Sequence, residues 1–289
     1  MTEIFKTVLY LSILGAAAVI LLLVLKPITA KRFSARWQYF VWLFAAILMI
    51  VPFWRLVPPG EVKKISAGQK VVNAVQPMQG ETGGKNGEEN NRPQKSAENK
   101  VPFEYKTLRV SGENIRLLEL LGHVWLCGAG VFMLSAFISY ERFLAKNKRQ
   151  SFEILGCKDL ETLKNEIGIK RKVGLRISQT AKTPMLAGIF RPTVYLPGIS
   201  FGEDTKRIVL RHELMHLKHG DLVYKWFSLA VNAVHWFNPF AYLLSGEISR
   251  ACEIYCDEAV TKNFDENEKN KYMKAILELA EKTEAEKNV

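Results

Sequence analysis

Three stretches of the chain are apolar over the length of a bilayer-crossing helix. Residues 7–25 (TVLYLSILGAAAVILLLVL) and 37–54 (WQYFVWLFAAILMIVPFW) contain no charged side chain, and residues 120–140 (LLGHVWLCGAGVFMLSAFISY) contain only His123 as an ionisable group of consequence. A helix needs roughly 20 apolar residues to cross the hydrocarbon core. None of the three has the polar face that a core helix of a water-soluble domain would show, so the pattern predicts a bundle of three transmembrane helices. Trp37, Tyr39 and Trp54 sit near the ends of the second stretch, where aromatic rings favour the lipid interface. The first stretch follows Lys6 as a signal peptide would. Its length, and the second stretch close behind it, predict an uncleaved span instead.

Beyond about residue 141 the pattern changes to short alternating and amphipathic segments. Residues 159–168 read as a helix, and Val173 to Ser178 alternates like a strand. Residues 184–197 read as two short strands with a turn near Arg191-Pro192. A helix follows over about 204–219, with Gly220 as its C-terminal cap. Residues 221–245 are strongly apolar, 248–262 form a helix with charges on one face, and 267–287 form a charged amphipathic helix whose stripe is Tyr272, Ile276, Leu277 and Ala280. The expected organisation is two transmembrane helices joined by a basic loop (1–57), an outer loop (58–114), a third transmembrane helix (115–141) and an α+β domain (142–289). Within the outer loop, QGETGGKNGEENNRPQKSAENK (79–100) has too little apolar surface to offset ordering entropy and is expected to be disordered.

Charge orients this arrangement. The loop between the first two spans carries Lys26, Lys31, Arg32 and Arg36 without an acid, and Arg142, Lys146, Lys148 and Arg149 follow the third. Basic loops stay in the cytoplasm, which predicts a multi-pass protein of the cell membrane with its N-terminus outside and the α+β domain cytoplasmic. The net charge of +11 then reads as complementarity to an anionic membrane surface. No nucleic-acid recognition motif accompanies it, so direct nucleic-acid binding is not expected. Four cysteines (Cys127 in a span, Cys157, Cys252 and Cys256) do not suit a disulfide framework in a reducing cytoplasm; Cys252 and Cys256, four apart on one helical face, lack the further soft ligands of a thiolate metal site and read as small buried side chains.

The candidate chemistry lies in His212-Glu213-Leu214-Met215-His216. Histidines four apart on a helix project from one face and can share one zinc. Glu213, between them, can act as general base on a water whose pKa zinc lowers towards roughly 7. A third ligand is required. His219 lies about 10 Å along the axis from His212 at 1.5 Å per residue, too far for one ion to bind all three, and reads as a helix-end residue. The better candidate is Glu253 in Glu253-Ile254-Tyr255-Cys256-Asp257. Asp257, one turn later on the same face, can hold a histidine through its other ring nitrogen. If Glu253 shares the ion, residues 221–245 cannot simply cross the bilayer; they must return, and Asn238-Pro239 offers the break. Lys225, Asn232 and His235 are costly in lipid and agree with a core helix.

The succession of HELMH, an Asn-Pro within an apolar stretch, and ExxCD, preceded by TPMLAGIFRPTVYLP, resembles the BlaR/MecR-type antirepressor metallopeptidases, integral-membrane gluzincins of bacteria. The resemblance covers nearly the whole chain. It implies His212, His216 and Glu253 as zinc ligands, Glu213 as catalytic base and Asp257 in support. It also implies signal transduction by cleavage of a cytoplasmic protein, often a winged-helix transcriptional repressor, and of the protease itself. Homo-oligomer formation is left open. The β-lactam receptors of that family add an outer penicillin-binding domain, whereas this sequence contains no S-x-x-K; the chain is expected to be either a piece of a longer receptor or a family member with another input. Two other readings remain at this point: a peptidase processing membrane or prenylated proteins, and a non-catalytic membrane scaffold with structural zinc. The strand near 185–189 is further expected to offer an edge to an extended peptide.

Overall fold

The computed structural model describes residues 1–53, 112–198 and 202–285. Trp54 and the segment 79–100, expected to be disordered, lie outside the described residues. The fold is mostly helical with one small sheet. Helices α1 (Thr2–Arg32), α2 (Ala35–Ile50) and α3 (Gly112–Arg149) carry the three apolar stretches. Among the described residues, α1 and α3 are long and apolar enough to cross a membrane. The 16 residues of α2 reach about 24 Å, against roughly 30 Å of bilayer core. The second stretch is therefore shorter as a helix than its composition suggested, because the chain leaves helical geometry at Val51, before Pro52. Ser34 caps α2 through the Trp37 N–H.

The remaining chain forms β1 (Ser151–Glu153), α4 (Lys158–Ile167), β2 (Gly174–Ser178), β3 (Met185–Ala187), β4 (Thr193–Pro197), α5 (Glu203–His219), α6 (Asp221–Val234), α7 (Pro239–Thr261) and α8 (Glu266–Ala285). The sheet order is β1-β2-β4-β3. β2 and β4 are parallel, while β3 pairs antiparallel with β4, with Leu186 opposite Val194, and forms one edge. Alternation assigns the two faces. Leu175, Leu186, Val194 and Leu196 join Leu160 and Leu163 of α4 and Leu210 and Leu214 of α5 in the main core. Ala187 and Tyr195 face the other way, towards Leu144 at the end of α3. Asn147 of α3 accepts from the Ser178 and Thr180 hydroxyls, so the sheet is fastened to α3 by polar as well as apolar contacts.

Three features position the site. Acidic Glu203 and Asp204 begin α5 and Lys218 and His219 end it, a polarity that suits the helix dipole; Gly220, at φ 76°, closes it in the left-handed conformation. The apolar segment 221–245 does return: α6 stops at Val234, and Asn238 caps a new helix through the Phe240 N–H at 2.9 Å, with Pro239 at its first position. The expected helix over 248–262 is thus the second half of a longer one that begins at Pro239. The α6–α7 hairpin packs within the bundle, α6 against α2 and α3, and α7 against α1 and α2. Lys26 binds Glu247 of α7 at 2.5 Å, and the Ala35 N–H donates to Glu258 of α7 at 2.8 Å. The C-terminal turns of α1 and the first residue of α2 therefore grip the helix that carries Glu253.

Candidate active site

α5 brings His212 and His216 to one face, with ring centroids 4.7 Å apart. α7, returning beside it, brings Glu253. The two Nε2 atoms are 3.1 Å apart, and Glu253 Oε2 lies 3.6 Å from His212 Nε2 and 3.3 Å from His216 Nε2. Tetrahedral zinc with N and O ligands at about 2.0–2.1 Å would set its donors roughly 3.3–3.4 Å apart, so this triangle has the size that ion requires. The side chains at the predicted positions thus converge, although they come from helices separated by α6.

The nitrogens turned away from this triangle are also held. His216 Nδ1 is 2.6 Å from Asp221 Oδ2. His212 Nδ1 is 2.9 Å from the Tyr272 hydroxyl and 3.4 Å from Asp257 Oδ1, and Tyr272 donates to Asp257 at 2.6 Å. Such partners fix ring orientation and tautomer. The structure places Asp257 within 3.4 Å of His212 Nδ1, and adds Asp221 and Tyr272, which the sequence does not single out as site residues. Tyr272 was assigned to an apolar stripe, and it does bury its ring in the core while its hydroxyl reaches the site. Asp221 directly follows the Gly220 cap, and an acid at the start of the next helix was the available signal.

The His212 and His216 donor atoms also lie within 4.8 Å of the Cys256 thiol, which offers a second donor set. Its geometry is less suitable. Cys256 Sγ lies 3.7 Å from His212 Nδ1, the nitrogen already occupied by Tyr272, and donates to the His212 carbonyl at 3.3 Å. A thiol behind the ring cannot share an ion with the Nε2 atoms in front of it. Cys252 and Cys256 are otherwise fully buried, as small core side chains. His219 ends α5 with its ring stacked on Tyr255 at 4.0 Å.

Carboxylates dominate the local electrostatics. Burial disfavours charge on His216, but Asp221, with Cys256 and Glu253, reverses this and raises its pKa to about 11. Burial likewise acts to lower His212, and Asp257, Cys256 and Glu253 again override it, so its pKa is also raised. Glu253 is pushed up by burial but held well below the ordinary carboxylate range by its hydrogen bonds to both histidines. Glu213 is almost fully buried, and that desolvation raises its pKa despite the two nearby imidazoles and the Leu186 amide. Lys225 is the nearby cation, its Nζ 3.3 Å from Glu253 Oε1. The residues open onto a cleft of about 380 Å³ bounded by Pro184, Met185 and Leu186 at the β3 edge and by Ile276 and Leu279 of α8. Two imidazoles and several carboxylates thus face one small cleft, a donor set that could hold a cation, with the buried Glu213 carboxyl adjacent.

The chain is 36% identical over 160 residues to the regulatory protein BlaR1 of Bacillus licheniformis, covering 53% of this chain and 26% of that relative. It is 26% identical over 111 residues to the methicillin resistance mecR1 protein of Staphylococcus aureus and, equally, to that of Staphylococcus epidermidis, covering 37% of this chain and 19% of each relative. The match thus spans about a quarter or less of these curated relatives. Residues 6–289 match one peptidase family throughout, and the chain belongs to that family, the BlaR1 peptidase M56 family.

Proposed function

We infer that the chain is a membrane-embedded zinc endopeptidase in which His212, His216 and Glu253 hold the metal and Glu213 is the general base. The observation that carries this reading is the triangle of His212 Nε2, His216 Nε2 and Glu253 Oε2, with sides of 3.1, 3.3 and 3.6 Å. Zinc, when bound, supplies Lewis-acid chemistry that makes water nucleophilic near neutral pH and polarises a scissile carbonyl. Glu213 takes the proton from the attacking water and passes it to the departing amine nitrogen, and its desolvated carboxyl suits both transfers. Asp221 and the Tyr272–Asp257 pair keep the two imidazoles in the tautomers that leave Nε2 free.

An extended peptide adds to the β3 edge, whose residues Met185 and Leu186 border the cleft. A Gly188→Pro substitution is a poor probe of this idea. Gly188 has φ +90° and its amide donates to the Tyr140 hydroxyl at 3.0 Å, so proline would disrupt the turn itself. Peptide substrates with alternate backbone amides N-methylated provide the cleaner test: they should resist cleavage, and normal turnover would sink strand addition.

The biological substrate in this reading is a cytoplasmic protein, a transcriptional repressor in the first instance and the protease itself in the second. The relatives named as regulatory and resistance proteins support a signalling role. α1 and α3 support the membrane setting. The decisive experiment compares cleaved cytoplasmic proteins in cells carrying the wild type or Glu213→Ala. The variant should keep zinc and lose the cleavages. A full biological response from a zinc-loaded Glu213→Ala protein would favour a scaffold instead.

A further inference from the structure

The turn between β3 and β4 is a second feature that the site chemistry does not use. At its tip Phe190 is 91% exposed, beside the half-buried Ile189. A ring so exposed leaves apolar area whose burial would stabilise a contact. Basic residues flank the turn. Arg191 follows Phe190, and Arg171 donates to the Ile189 and Phe190 carbonyls at 2.6 and 3.3 Å, bringing its exposed neighbours Lys170 and Lys172 to the same tip. The position of the tip in the bundle is fixed as well. The Gly188 N–H donates to the hydroxyl of Tyr140, and Tyr140 packs edge-on against Trp226 of α6 at 5.1 Å. Tyr140 closes the apolar part of α3 just before Arg142, Lys146 and Lys148. Tyrosine and tryptophan at the end of an apolar helix, followed by basic residues, mark the cytoplasmic interface of a bilayer.

Behind the tip is a cavity of about 800 Å³ whose walls include Phe137 and Leu144 of α3 and Trp226 of α6. It is continuous with the exposed apolar side of α3, where Leu134 and Phe137 are 59% and 50% exposed. Glu153 on its rim is paired with Arg176 at 2.9 Å. Glu141 also lines the rim, but no acid occurs at the tip itself between Lys170 and Lys172 or between Gly188 and Thr193.

We propose that the β3–β4 turn docks on the anionic cytoplasmic leaflet, with Phe190 and Ile189 in the interface and Lys170, Arg171, Lys172 and Arg191 on lipid phosphates. The aromatic tip gains apolar cover and each basic residue gains a counter-charge, the pairing expected of a membrane-surface contact. Because β3 is also the strand beside the cleft, this contact would hold the edge at the level of the bilayer surface. The inference rests on the reading of α3 as a membrane span, and the experiment tests the two separately.

The full chain is reconstituted into nanodiscs with or without phosphatidylglycerol, after Cys127→Ser and Cys157→Ser remove the accessible thiols. Nitroxide labels are placed singly through Phe190→Cys, Val131→Cys and Asn165→Cys. Accessibility to oxygen, which concentrates in lipid, is compared with accessibility to a water-soluble nickel chelate. The label at 190 should favour oxygen strongly over nickel relative to the label at 165, and more so with phosphatidylglycerol. Combined Lys170→Gln, Lys172→Gln and Arg191→Gln substitutions should remove the dependence on anionic lipid. A label at 131 in lipid with a label at 190 fully open to nickel overturns the docking while leaving the span intact. A label at 131 open to nickel overturns both. Protection of 190 from both reagents only when a peptide substrate is added would assign the turn to protein docking and overturn the lipid assignment.

Discussion

His216 and His235 are both buried, at 8% and 0% exposure, on neighbouring stretches of one hairpin-forming region, but their surroundings differ in kind. His235 contacts the Met49 carbonyl at 2.8 Å, and nearby Asn238 donates to the carbonyl and hydroxyl of Ser12 at 3.1 and 2.8 Å. These are neutral groups meeting backbone oxygens of α1 and α2. His216 meets Asp221, Glu253 and His212 within 2.6–3.3 Å, in a cluster that also contains Glu213 and Asp257. Neutral hydrogen bonds of this kind fix how helices sit against one another, even though His235 Nδ1 itself has no partner among the described residues. Two imidazoles and several carboxylates converging on one cleft are a donor set that could hold a metal ion, the role proposed above, with the desolvated Glu213 carboxyl beside it. The difference separates two functions of buried histidine that sequence patterns treat alike.

The strongest way to break the comparison is Glu213→Ala. If the charged cluster exists for chemistry, peptide cleavage should fall by roughly 10²–10⁴-fold, the range for loss of a general base. Zinc content, measured by atomic emission on the purified protein, should stay at the wild-type level. Loss of zinc together with activity would mean that Glu213 belongs to the ligand set and that its role as base is wrong.

Proton linkage gives the next effect. The metal-free His216 holds its proton up to a pKa of about 11, because Asp221 and Glu253 outweigh burial, and His212 is raised in the same direction. For a group raised in the folded state, the stabilisation is complete below the unfolded value near 6.5 and disappears as pH climbs through the folded value. The metal-free protein should therefore lose stability between about pH 6.5 and 11 from this source. At neutral pH zinc must displace both protons, so its apparent affinity should drop by about a hundredfold for each unit of acidification. Calorimetric titration in buffers of different ionisation enthalpy counts the protons; a count near zero would contradict the charge state derived from the geometry.

Asp221→Asn removes the charge behind His216 while keeping a hydrogen-bonding side chain, and zinc affinity should fall by about 10–100-fold. Tyr272→Phe should act in the same direction and more weakly, since Asp257 remains 3.4 Å from His212. Chelator competition measures both. An unchanged affinity for Asp221→Asn would reduce the 2.6 Å contact to packing.

These two residues also mark the limit of what the sequence makes legible. The four-residue spacing of His212 and His216, the Gly220 stop and the Asn238-Pro239 break are local signals, and α5, the start of α7 and the convergence on Glu253 follow from them. The alternation at 173–178 and the paired strands at 185–197 are equally local, and the sheet contains them. Asp221 and Tyr272 gain their roles from tertiary approach. The former is recruited by a reversal of direction immediately after α5; the latter reaches His212 from a helix 60 positions later in the chain. Helical periodicity reports that Tyr272 faces inward but not that its hydroxyl ends beside a histidine. The three-residue β1 is too short for any pattern to register, and it exists because Ser151, Phe152 and Glu153 pair with β2. The length of α2 was overread for the opposite reason: apolar composition continues past Ile50, where helical geometry does not.

The smallest effect is expected at the neutral cluster, and it sharpens the comparison most. Asn238→Ala removes the cap on Phe240 and the two contacts to Ser12. A lost N-cap costs about 1 kcal/mol, and interhelical polar contacts within membranes average only about 0.6 kcal/mol each, because the unfolded segments also find partners. The total should be roughly 2 kcal/mol, visible as a modest fall in Tm in detergent or nanodiscs. Zinc bound per folded molecule should not change, because Asn238 lies 15 residues before Glu253 along α7 and orders the hairpin only at its far end. If zinc affinity fell in proportion to stability, the two clusters would be coupled through α7. The hairpin would then transmit the packing of α1 to the third ligand, and the distinction between register and chemistry would no longer hold.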